Sequence, residues 1–73
     1  MSQERNENMN LVDFYGENVK ITAVNGNVYT GVVEDYIYPE DNENGKESII
    51  VDTTSKDIVE FYENDIFSIE LGK

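Results

Sequence analysis

Three groups of residues in this 73-residue chain could do chemistry: acids inside apolar runs, an oxygen-rich loop and a set of tyrosines. Asp35, Asp52 and Glu60 lie among β-branched and aromatic residues, and paired carboxylates at suitable separations act as acid and base. A strand that buries one face and wets the other puts acids in the same places without catalysis. The chain has no histidine and no cysteine, which removes the usual general base, the usual thiolate nucleophile and the commonest metal ligands. No serine sits in a nucleophile motif. The expectation is a protein without enzymatic activity and without a cofactor.

The loop 40–47 reads Glu40, Asp41, Asn42, Glu43, Asn44, Gly45, Lys46, Glu47. Counted from Glu40, oxygen-bearing side chains fall at the first, third and fifth places and Gly45 at the sixth, as in a calcium-binding loop. Such a loop closes with a bidentate glutamate at the twelfth place, and here that residue is Val51. A solvated connection between strands is expected, with no metal site. Tyr15, Tyr29, Tyr36, Tyr38 and Tyr62 could stack nucleic-acid bases, but that mode needs a cationic groove.

The charge speaks against such a groove. Sixteen acids face five bases, for a net charge of −11, and the bases Arg5, Lys20, Lys46, Lys56 and Lys73 are scattered. Nucleic-acid binding draws its affinity from lysine and arginine on phosphates, so direct binding to nucleic acid or an anionic membrane is disfavoured. High acidity serves solubility or attraction to a basic protein. No apolar run reaches the roughly 20 residues that span a bilayer, and the polar start of the chain has no signal-peptide character. A cytoplasmic location is expected.

Alternating apolar residues define the elements. Residues 1–10 read as a flexible tail, and 11–73 as one β-domain. Leu11 with Phe14 or Tyr15, followed by Gly16, predicts a short helix over 8–15 capped by Asn8 or Asn10. Strands are expected at 17–24, 28–38, 48–54, 58–62 and 66–71. Asn25-Gly26 between the first two predicts a type I′ hairpin. Gly31 inside the second strand marks a bend, a bulge or a close backbone approach. That strand carries Tyr29 and Val33 on one face and Val28, Val32 and Tyr36 on the other. The fifth carries Phe67, Ile69 and Leu71 on one face. A short helix followed by five closely spaced strands reads as a strongly bent antiparallel barrel.

From Leu11 to Leu71 this order resembles the Sm-like (LSM) family, most closely its small acidic bacterial members. One motif of that family is matched by Val19 and Ile21, the turn glycine Gly26, the aromatic Tyr29, and Gly31 followed by Val33. The short last strand of the other is matched by Ile66, Ile69 and Leu71. The resemblance implies a non-enzymatic barrel, and its RNA-binding members carry an aspartate and asparagine after the second strand and a cation-glycine step before the last. This chain has Tyr36-Ile37-Tyr38-Pro39 in the first place and Glu63-Asn64-Asp65 in the second, so no RNA-contacting residue carries over. Ring assembly in the family pairs the fourth and fifth strands, which makes Phe61, Tyr62 and Phe67 candidate edge contacts.

The function expected is therefore protein–protein contact, either with another copy of the chain or with a basic partner. The candidate acidic contact surface is Glu34, Asp35, Glu40, Asp41, Glu43 and Glu47. The alternatives are an RNA-binding Sm-like protein, and a nucleic-acid mimic whose acids occupy a partner's phosphate groove.

Overall fold

The computed structural model describes residues 10–72. The expected tail up to residue 9 and the first part of the predicted helix, Asn8 included, lie outside them. Five strands form one antiparallel sheet: β1 (Asn18–Ala23), β2 (Val28–Ile37), β3 (Ser48–Thr53), β4 (Ile58–Tyr62) and β5 (Ile66–Leu71). Their spatial order is β4-β3-β2-β1-β5, so β4 and β5 are the two edges.

Those edges are at opposite ends of the sheet, yet residues 63–65 alone join them. Laid flat, they would stand about 19 Å apart. The link is a 3-10 turn, which advances only about 2 Å per residue. The sheet must therefore roll. The turn also stitches both sides of the roll at one end: the Glu63 N–H donates to the Glu47 carbonyl at 2.9 Å, and the Val24 N–H to the Asp65 carbonyl at 3.0 Å. Elsewhere β4 and β5 form no ladder among the described residues, so the sheet is rolled but open where a closed barrel was expected.

Both tight hairpins use loops with one left-handed residue. At β1–β2, the Gly26 N–H donates to the Ala23 carbonyl and the Ala23 N–H to the Asn27 carbonyl. Gly26 has φ +93°, while Asn25 has no positive φ. This corrects the type I′ expectation, which needs both central residues left-handed. Asn25 instead uses its side chain, accepting the Asn27 N–H at 3.0 Å. The β3–β4 hairpin repeats the geometry, with Lys56 donating to Thr53 and Thr53 to Asp57, but its left-handed residue is Lys56 at φ 75°. A side chain there is strained. Lys56→Gly should stabilise by about 0.5–1 kcal/mol, seen as a melting point raised by a few degrees. An unchanged or lower melting point would show that the lysine side chain compensates the strain.

Strand β2 changes phase midway. Val33 pairs with Val51 and Asp35 with Ile50, which leaves Glu34 as an unpaired bulge residue. A one-residue insertion exchanges the faces of everything after it. Tyr36 therefore turns inward with Tyr29 to pack on the core, while Val28 and Val32 stay exposed. The sequence pattern had grouped Tyr36 with Val28 and Val32. A second bulge acts on β5, between the Thr22–Ser68 and Ala23–Ile66 pairs. It buries Ile66 and Ile69 and turns Phe67 out, 61% exposed. Phe67 thus does not share the face of Ile69.

The core is Leu11, Phe14, Val19, Ile21, Val33, Ile49, Val51, Phe61, Ile66 and Ile69. Its first two members come from Leu11–Phe14, a single 3-10 turn where a helix was expected. The Asp13 carboxylate caps it by accepting the Asn10 N–H at 3.0 Å. A 3-10 turn repeats every three residues, so Leu11 and Phe14 point in while Val12 and Tyr15 point out.

Candidate functional site

The acids expected to form one surface fall into separate settings. Glu34 sits on the β2 bulge and Asp35 follows it, both exposed. The Asp35 Oδ1 accepts the Tyr36 N–H at 2.8 Å. Glu40 and Asp41 belong to the 3-10 turn Pro39–Asp41 and are exposed, as is Glu43. Glu47 is half-buried and accepts the Tyr36 hydroxyl at 2.5 Å, so it serves structure first.

Glu34 has acidic neighbours the sequence did not point to. Partial loss of water and the negative charges of Asp52 and Asp35 hold its carboxyl above the ordinary value. A carboxyl raised in the folded state favours folding when protonated; that contribution is present at low pH and is lost as pH rises past the raised value. Glu34→Gln should therefore raise the melting temperature at about pH 7, with the gain vanishing near about pH 3. An equal gain at both pH values would mean the charge of Glu34 is not its cause.

The three strand carboxylates do not assemble. Asp35 lies opposite Ile50, and Asp52 opposite Val32. Glu60 accepts the hydroxyl of the fully buried Ser48 at 2.8 Å. The loop 40–47 uses its polar side chains internally. The Asn42 amide donates to the Lys46 carbonyl and to Ser48, and Asn44 accepts the Lys46 N–H. No group of three acids among the described residues is placed to hold a metal ion.

The edge candidates divide as well. Phe61 is buried, its ring edge-on to Tyr29 at 5.1 Å between centroids, so its side chain belongs to the core. Tyr62 is half-buried. Phe67 is exposed on β5, joined by Leu71 on β5 and by Ile58 on β4. Ile58 did not stand out in the sequence, and Leu71 was expected on the face of Ile69, because a strand's outward residue and its edge position are separate facts.

A cleft of about 220 Å³ is lined by Val12, Tyr15, Asp35, Tyr36 and Tyr38. Its parts come from the outward side of the 3-10 turn and the end of β2. Tyr36 and Tyr38 meet edge to face at 5.1 Å and 75°. Tyr15 and Tyr38 are each more than half exposed. Burial and the Glu47 carboxylate push the Tyr36 hydroxyl above the usual tyrosine range, so it remains a donor. Single exposed aromatics are ordinary, but a cluster marks a contact site. The sequence held these tyrosines without showing that three of them line one cleft.

No protein-family model, curated protein or solved structure matches the chain. Among the described residues, no helix is long and apolar enough to cross a membrane.

Proposed function

We propose that this chain is a non-enzymatic Sm-like domain that works through protein–protein contacts, with its two sheet edges as the surfaces for a second copy. The observation that carries this reading is the exposure of large apolar side chains on both edge strands: Ile58 at 59%, Phe67 at 61% and Leu71 at 52%. Edge strands present unpaired backbone groups, and soluble proteins usually blunt them with charge or proline. Here apolar side chains stand beside those groups, which favours a partner strand. The element order, the rolled sheet and the position of Gly31 support the Sm-like assignment. The net charge of −11 opposes packing of like copies at low salt and leaves no electrostatic term for nucleic acid.

Sedimentation velocity tests this. Self-association should strengthen between about 0.05 and 0.5 M NaCl as repulsion is screened. It should be lost in the Ile58→Ser/Phe67→Ser double variant, whose substitutions fall at exposed positions outside the core. Single-stranded RNA in a parallel anisotropy titration should give no response. A monomer at every salt concentration, together with saturable RNA binding, would overturn the reading and favour the RNA-binding alternative.

A further inference from the structure

We propose that the cleft between the 3-10 turn and the end of β2 receives an arginine side chain from a basic protein partner, its guanidinium lying against the tyrosine rings with N–H groups on Asp35. This rests on the protein-contact reading above and names the chemistry of a second partner, at a site away from the sheet edges.

Size comes first. At about 220 Å³ the cleft is smaller than the roughly 300 Å³ at which small-molecule sites begin. One long side chain suits a space of this size. The walls come next. Tyr15, Tyr36 and Tyr38 with Val12 provide aromatic and apolar walls, and Asp35 adds an acidic residue to the lining. A cation over an aromatic face is attracted by the ring's quadrupole. The Tyr36 hydroxyl donates to Glu47, which leaves more electron density on that ring.

Charge then selects the ligand. Asp35, the Glu47 carboxylate behind Tyr36 and the exposed Glu40 two residues past Tyr38 make the site repel phosphate, so the tyrosines are not a platform for nucleic-acid bases. Among cations, the guanidinium is planar, weakly hydrated and able to stack and hydrogen-bond at once, whereas a lysine ammonium is a strongly hydrated point charge. Asp35 keeps an acceptor free. Its Oδ1 is held by the Tyr36 N–H, while Oδ2 accepts no hydrogen bond from the described residues.

The test is an NMR titration of the full chain with a short glycine–arginine peptide, with glycine–lysine and glycine–glutamate peptides as comparisons. The arginine peptide should give saturable shifts in the ring protons of Tyr15, Tyr36 and Tyr38 and in the Asp35 amide. The lysine peptide should bind several-fold more weakly, and the glutamate peptide not at all. Tyr38→Ala and Asp35→Asn, both at exposed side chains, should each weaken arginine-peptide binding at least about fivefold with the melting temperature little changed. Two results would overturn the proposal: no shifts at millimolar peptide, or shifts spread over the loop 40–47 that Tyr38→Ala leaves intact. Either could occur while the sedimentation experiment still shows edge-dependent association, so the two readings fail separately.

Discussion

Gly31→Val will leave the protein largely unfolded at room temperature, and Gly31→Ala will destabilise it by about 3–5 kcal/mol. Gly31 pairs with Val19 on β1 and Thr53 on β3, so it sits mid-sheet with a strand on each side. A Cβ built there would stand 2.8 Å from the Thr53 Cα and 2.9 Å from the Asp52 carbonyl carbon, and closer still to the Asp52 carbonyl oxygen. All three are backbone atoms of β3, so no rotamer change relieves the clash and the ladder itself must part. Small domains hold only a few kcal/mol in reserve. Urea denaturation of Gly31→Ala measures the loss directly. A loss below about 1 kcal/mol would mean that β2 and β3 stand further apart in solution.

Phe14→Ala should cost about 3–5 kcal/mol. Phe14 is 1% exposed and Leu11 is fully buried, and together they are the inward half of a 3-10 turn too short to persist alone. Removing the ring takes away the turn's main anchor. Because Val12 and Tyr15 form the outward half of the same turn, the aromatic cleft should loosen with it. The expected readout is a large drop in the denaturation midpoint together with loss of the Tyr15 ring shifts in the arginine-peptide titration. A midpoint within error of the wild type would detach the turn from the core, and with it one wall of the cleft.

Much of the secondary structure was legible in the chain. Strands rich in Val, Ile, Tyr and Phe, separated by Asn-Gly, Ser-Lys-Asp and Glu-Asn-Asp, are local signals whose causes lie within a few residues. The helix expectation failed for a local reason. Leu11 pairs with Phe14 in a 3-10 turn and equally with Phe14 or Tyr15 in an α-helix, and four residues do not separate the two periods. The turn geometry at Asn25-Gly26 failed similarly, because Asn-Gly also suits a loop with only the glycine left-handed.

The candidate site was far less legible. The bulges at Glu34 and between Ile66 and Ser68 exchange inside for outside, and nothing in an alternating pattern marks where the extra residue goes. Tyr36 therefore parts from Val28 and Val32 and enters the core side, and Phe67 parts from Ile69 and leaves it. The closeness of Glu34 to Asp52 depends on the β2–β3 register, and the cleft depends on a turn some twenty residues upstream folding over the end of β2.

By itself, the sequence determined a small acidic β-domain with strands in these places, a glycine required near the middle of β2, and no histidine or cysteine with which to do chemistry. These follow from composition, alternation and the steric limits of single residues. Only the tertiary structure decided that the sheet rolls without closing, which apolar side chains are left on its edges, and that Tyr15, Asp35, Tyr36 and Tyr38 line one cleft. Those outcomes depend on register, on two bulges and on a three-residue link between opposite edges of the sheet. They are distances between residues far apart in the chain, and packing alone sets them.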